Sequence, residues 1–175
     1  ELDGLKNSRI LCLLEDRGGR LWVGTDGGGL FYLVDGGFQA LTTKDGLFSD
    51  VVMSLAEGRD GRIWIGTYAG LNCWREGKFL NDSSVPPRRE AAVSRVLEDG
   101  TGLWVVLNGF LHQVKGQDYL RENLGAEPSS QIAIAALRRG ASGRIWFGGL
   151  SGRLTCSVDG VMTAVPQPEK LSPDT

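Results

Sequence analysis

Gly19-Arg20-Leu21-Trp22-Val23-Gly24-Thr25 returns 42 residues later as Gly61-Arg62-Ile63-Trp64-Ile65-Gly66-Thr67. Two further copies follow, Gly102-Leu103-Trp104-Val105 and Gly143-Arg144-Ile145-Trp146-Phe147-Gly148, so Trp22, Trp64, Trp104 and Trp146 are spaced 42, 40 and 42 residues apart. A second marker keeps the same beat: Asp35-Gly36, Glu76-Gly77, Lys115-Gly116 and Asp159-Gly160. A third, Asp3-Gly4-Leu5 and Asp45-Gly46-Leu47, is also 42 apart. Three markers at one period establish an internal repeat.

Each repeat divides into short apolar runs separated by turn residues. In the first the runs are Ile10–Leu14, Leu21–Thr25, Leu30–Val34 and Phe38–Leu41. Between them stand Asp16-Arg17-Gly18-Gly19, Asp26-Gly27-Gly28-Gly29 and Asp35-Gly36-Gly37, the residues that hairpins place where φ is positive. The second repeat gives Val52–Ala56, Ile63–Thr67, Leu71–Arg75 and Phe79–Asn81, and Val161–Val165 closes the last. No stretch shows a helical apolar period, so helices should be nearly absent. Units of about 40–45 residues with four strands predict an all-β fold, a β-propeller of four-stranded antiparallel blades. Four blades are expected, at about 5–46, 47–86, 87–128 and 129–170 of a single propeller region. Rings of this kind close with roughly four to eight blades. A partial ring, completed by self-association or by further blades of a longer polypeptide, is therefore the expectation.

Composition agrees. The 26 glycines among 175 residues are about twice the ordinary usage of roughly 7%, and with only 6 prolines they belong to turns rather than to a linker. An apolar fraction of 41% is enough for a core. The net charge of −2, with no block of one sign, excludes a basic nucleic-acid surface. No apolar run reaches the roughly 18 residues of a membrane span, and the N-terminus shows no signal-peptide pattern.

Little in the sequence resembles catalytic machinery. Cys12, Cys73 and Cys156 form no C-x-x-C pair, and His112 is the single histidine, so neither a metal site nor a cofactor is expected. The cysteines read as small apolar core residues. The repeated tryptophans lie mid-strand and read as packing between blades. Trp74 falls off the beat, at a third-strand position read as held elsewhere by Leu33, Gln113 and Cys156, and partial burial is expected for it. In Glu15-Asp16 and Glu98-Asp99 the aspartates are expected to bond backbone N–H groups and set the turn. No pair of carboxylates is singled out for glycosidase work.

A ligand, if bound, belongs where the repeat varies on its rigid frame. The loops joining second to third strands carry Asp26, Tyr68, Asn108 and Ser151, and the lead-ins to first strands carry Ser8, Asp50 and Glu90. Both sets should lie on one face of the propeller. A small molecule or carbohydrate is the expected ligand class; no catalytic residue is proposed.

The pattern Val/Ile-x-x-Leu-x-Glu-Asp-x-x-Gly-x-Leu/Ile-Trp-Ile/Val-Gly-Thr-x-x-Gly-Leu, closed by Asp-Gly-Leu, resembles the two-component regulator propeller repeat. Ile10 to Thr25 carries it in the first unit, and Val52 to Asn72 in the second. Units three and four depart from it: Val106-Leu107 replaces Gly-Thr, Arg138-Arg139 replaces the Leu/Ala-Glu step, and Gly149 replaces the threonine. The resemblance implies a non-catalytic, extracytoplasmic (periplasmic) input domain of a bacterial sensor, whose histidine kinase would lie outside this chain. Gly143-Arg144-Ile145-Trp146-Phe147 also looks like a streptogramin lyase unit. Such enzymes imply a catalytic histidine with an acidic partner and a metal, and His112 alone supplies that poorly. A bare interaction scaffold is the third reading.

Overall fold

The computed structural model describes residues 5, 9–80, 90–100, 102–116, 118–121, 134–149, 152–158 and 161–165. The strands form four antiparallel four-stranded meanders. The first contains β1 (Arg9–Glu15), β2 (Leu21–Asp26), β3 (Leu30–Val34) and β4 (Gly37–Leu41). The second contains β5 (Val52–Glu57), β6 (Ile63–Thr67), β7 (Gly70–Arg75) and β8 (Lys78–Phe79). The third contains β9 (Val93–Asp99), β10 (Gly102–Leu107), β11 (Phe110–Lys115) and β12 (Asp118–Arg121). The fourth contains β13 (Ile134–Arg139), β14 (Ile145–Gly149), β15 (Leu154–Val158) and β16 (Val161–Ala164). These are the blades that the repeat predicts, and the fold is a β-propeller fold. The expected blade boundaries near 86 and 128 lie outside the described residues. The chain falls into two compact units, Glu1–Glu122 with the first three blades and Asn123–Thr175 with the fourth.

The sequence markers are turn and joint chemistry. Asp35-Gly36 and Glu76-Gly77 have φ of 48° and 77°, and of 49° and 83°, so both central residues of each two-residue β3–β4 and β7–β8 hairpin are left-handed. The Asp-Gly-Leu marker ends a single 3₁₀ turn over Thr43–Asp45. There the Asp45 carboxylate accepts the Thr42 backbone N–H at 2.8 Å, and Leu47 is buried behind it. That turn is the only helical element among the described residues.

Every first strand carries a bulge at the same place, opposite Gly24, Gly66, Val106 and Gly148 of the second strands. At Gly24 a Cβ would stand 2.3 Å from Cys12 Sγ and 2.7 Å from Val52 Cγ1 of the next blade. At Gly66 it would meet Ser54 Oγ at 2.3 Å and the Val93 carbonyl oxygen at 2.5 Å. The glycine of Trp-x-Gly-Thr is therefore where the following blade enters. The threonine after it is buried, and its hydroxyl donates to a backbone oxygen across the β2–β3 loop (Thr25 to Gly29, 2.8 Å) or the β6–β7 loop (Thr67 to Gly70, 2.8 Å).

Within the first unit β5 lies against β1 and β2, and β9 against β5 and β6. Each boundary buries one apolar cluster. Trp22, Leu30 and Leu41 pack with Val52, Ile63 and Ile65. Trp64, Leu71 and Cys73 pack with Val93, Leu103 and Val105. Trp22, Trp64 and Trp104 are buried core, as the sequence implies, while Trp146 of the second unit is half-buried.

Trp74 is more buried than expected and meets Phe79 edge-on, with ring centroids 4.9 Å apart. Its register equivalents also need correction. Trp74 pairs with Ile63, the residue before the tryptophan, so its counterparts are Leu33, Val114 and Ser157, one step beyond Gln113 and Cys156. The fourth strand of blade two is also shorter than expected, ending at Phe79.

Candidate functional site

Strand pairing brings the described members of the two predicted sets of loop residues to one end of each of the first three blades. Arg9 pairs with Asp26 in the β1–β2 register, Tyr68 donates its backbone N–H to Val51 at 3.1 Å, and Asn108 donates its own to Ala92 at 2.9 Å. The β2–β3 loop also reaches the next blade: Asp26 bridges to Val51, and the N–H groups of Gly27 and Gly29 donate to the Asp50 carbonyl at 3.0 and 2.9 Å. Lead-in and loop are thus one hydrogen-bonded layer. Ser8 and Ser151 lie outside the described residues.

Their side chains are engaged to different degrees. Asp26 is ion-paired with Arg9. Asp50 holds the 3₁₀ turn, accepting the Thr43 N–H at 2.7 Å and its hydroxyl at 3.3 Å. Asn108 has φ of 49°, with Gly109 at 85°, so it is the first central residue of a left-handed hairpin, and its amide oxygen accepts the Ala92 N–H at 3.2 Å. Asparagine suits that backbone because its short polar side chain tolerates the left-handed region. Tyr68 differs from these three. Its backbone is held and its side chain is free, 66% exposed and the most exposed large ring among the described residues. Glu90 is exposed as well.

Two residues in this layer escaped sequence reading. Arg95 stands opposite Val106, at the register position of Cys12, Ser54 and Ala136, and its guanidinium donates to the Ser94 carbonyl at 2.6 Å. It is the charged member of a set otherwise small. Ser54 Oγ is buried without a hydrogen-bond partner among the described residues. The β9–β10 turn hides this equivalence, because it is one residue shorter than its counterparts and so shifts Arg95 by one residue against Trp104.

The carboxylates at the opposite end of the strands behave as turn chemistry. Asp16 accepts the N–H groups of Gly18 and Arg20, each at 2.9 Å, and the Trp22 indole N–H at 2.8 Å. Partial burial works against its charge, yet these bonds outweigh it and hold the carboxyl below its ordinary range. The glutamates are different: they bind the preceding blade. Glu57 accepts the Arg17 N–H at 3.0 Å, and Glu98 accepts the Arg59 N–H at 3.3 Å and the Trp64 indole N–H at 2.5 Å. In blade two Asp60 is gripped by Arg62 at 2.6 Å and Arg75 at 3.0 Å, which lowers its pKa from 3.8 to about 2, chiefly through the Arg62 bonds. Arg20 and Arg62 also lie over their tryptophan rings, 5.7 and 5.4 Å from the centroids, which accounts for the arginine of Gly-Arg-x-Trp.

His112, the one histidine, sits on β11 with Nδ1 2.9 Å from the Phe110 carbonyl oxygen. All three cysteines are free thiols. Burial pushes the Cys12 thiol up to about 12, so it is unreactive at neutral pH.

Residues 4–27 and 46–69 match the two component regulator propeller family, a match that takes in the first two strands of blades one and two. No curated protein matches the chain. Several solved structures share the fold. The extracellular domain of a hybrid two component system from B. thetaiotaomicron is similar at a TM-score of 0.66 and 18% identity, over 94% of this chain and 24% of its own. A second such domain from the same organism gives 0.68 and 21%, over 92% and 22%. A catalytically inactive virginiamycin B lyase from Staphylococcus aureus, with Quinupristin, gives 0.69 and 16%, over 93% and 58%. The chain therefore spans about a quarter of the sensor domains it resembles and somewhat over half of the lyase.

Proposed function

Because residues 4–27 and 46–69 match the two component regulator propeller family, we propose that this chain forms part of a non-catalytic input propeller of a bacterial two-component sensor. On this reading it works outside the cytoplasm, and a small molecule or carbohydrate is read at the loop end of the blades. The observation that carries the ligand site is Tyr68: a free aromatic ring on a backbone held at both neighbours, among varied loop residues. A flat ring fixed in this way offers a stacking surface for a sugar or another apolar face at low entropic cost.

Thermal-shift screening of the chain against sugars and oligosaccharides tests this directly. The expected result is saturable stabilisation by one class, lost in Tyr68→Ala while the unliganded melting temperature stays within a few degrees. Stabilisation that survives Tyr68→Ala places the site elsewhere, and no stabilisation by any class overturns the carbohydrate reading. The lyase-like fold supports a second reading, enzymatic turnover. His112 speaks against it, because a ring nitrogen is already directed at the backbone of its own strand. Turnover of a streptogramin that disappears in His112→Ala would reverse that judgement.

A further inference from the structure

Within the first unit the blades meet through their first strands, β5 against β1 and β9 against β5. Each first strand pairs with a second strand on one edge only, so its other edge stays free however many blades complete the ring. These free edges border the central channel that a propeller keeps on its axis. Cys12, Ser54 and Arg95 hold one register position on them, opposite Gly24, Gly66 and Val106. Cys12 and Ser54 turn to the trailing side of their blades, where Gly24 and Gly66 receive Val52 and Val93 from the leading side of the next blade.

Arg95 cannot settle in that way, because Val106 stands where the other two face a glycine. Ser94 is the bulged residue of β9, with no partner in β10, and the Arg95 guanidinium turns onto its carbonyl at 2.6 Å. Re-aiming a side chain is what a bulge does. The arginine is half-buried, that bond is its only one among the described residues, and no described carboxylate pairs with it. Nor is it spent on its neighbours: Cys12 Sγ is directed at the Val52 carbonyl, 3.7 Å away, and Ser54 Oγ has no partner. Its charge nevertheless reaches blade one. Burial dominates at the Cys12 thiol and pushes it up, and the Gly24 backbone and Arg95 oppose that rise. The guanidinium therefore stands in the space that the first strands enclose.

That space opens at the loop end. Arg95 follows Ala92 by three residues, and the Ala92 carbonyl takes the Asn108 N–H in the loop layer, so the two lie within about 10 Å along the strand. A half-buried cation is costly unless an anion meets it, and a guanidinium bound to one neutral carbonyl keeps further donors for a partner. Its planar fork matches a carboxylate or a sulfate bidentately, a geometry that a sugar hydroxyl does not offer.

Resting on the reading that a ligand is bound at the loop end, we propose that Arg95 is an oxyanion subsite at the mouth of the axial channel, and that the ligand is an acidic saccharide whose carboxylate it takes. Isothermal titration of the full chain with glucuronate, glucose and inorganic sulfate tests it, since the two sugars differ only at the carboxylate. Glucuronate should bind at least about tenfold more tightly than glucose, and Arg95→Gln should remove that advantage while leaving glucose unchanged. Arg95→Lys keeps the charge without the fork and should fall between the two. The melting temperature of Arg95→Gln should stay within a few degrees of wild type, and Arg95→Met, which keeps the apolar stem, repeats the test if the glutamine variant folds poorly. Glucose bound as tightly as glucuronate would overturn the subsite and leave the carbohydrate reading standing. Sulfate bound as tightly as glucuronate, and lost in Arg95→Gln, would keep the subsite and remove the sugar. Anion binding that survives in the Arg95 variants, or no binding of any of the three, overturns the subsite.

Discussion

Trp64 and Tyr68 stand four residues apart and have opposite duties. Trp64 is buried beneath Arg62 and bonded to Glu98 of the next blade. Trp64→Ala should cost about 3–5 kcal/mol and lower the melting temperature by at least about 10 °C. Tyr68→Ala should move it by no more than a few degrees, and equal losses in a calorimeter would abolish the division between frame and site. Asp60 makes a prediction in acid. Its folded pKa lies below the unfolded value, so its contribution is whole above about pH 4 and is lost as pH falls toward 2. Asp60→Asn should lower neutral stability by no more than about 1 kcal/mol after solvent screening, and should flatten unfolding curves only in that window. At this scale the sequence was legible wherever a residue repeats. It misled at Trp74, because a strand-three residue is placed by its ladder partner and not by its distance from the turn. It was silent on the glutamates, whose partners lie about 40 residues upstream, beyond any local signal.

Among elements, the Gly24 and Gly148 pair separates backbone preference from fit. Both follow a tryptophan by two residues on equivalent strands, and neither has positive φ. Gly24→Ala drives a methyl into Cys12 and Val52 and should cost about 1–3 kcal/mol. Gly148→Ala meets only Ala136 Cβ, at an ordinary 3.5 Å contact, and should be neutral or slightly stabilising, which urea titration of both variants would check. Strand existence, order and hairpin type were all readable, since turn residues and alternating apolar positions are local. The bulge in every first strand was not: an extra residue leaves the apolar pattern plausible on either side of it. The β9–β10 turn, one residue shorter than its counterparts, concealed Arg95 as the counterpart of Cys12 and Ser54. Of the candidate site, sequence variation pointed to one layer of loops, but it did not separate Tyr68 from Asp26, Asp50 and Asn108, whose side chains serve the backbone or an ion pair.

For the whole molecule, the first three blades belong to one compact unit, Glu1–Glu122, and the fourth to another, Asn123–Thr175. Calorimetry of the chain should therefore resolve two transitions. Trp64→Ala should lower only the larger one, because Trp64 packs within the first unit. A single transition lowered as a whole would show that the two units melt together.

The joint also has a direction. Because a blade's leading side never matches another leading side, blade two is a cassette carrying one plug and one receptacle of the same gauge. Splicing a second copy of it in tandem should lengthen the array while preserving every interface, whereas inserting blade three should stall the series, because Val106 already occupies the space an incoming valine would need. The gauge of each such joint is therefore set by one glycine per repeat.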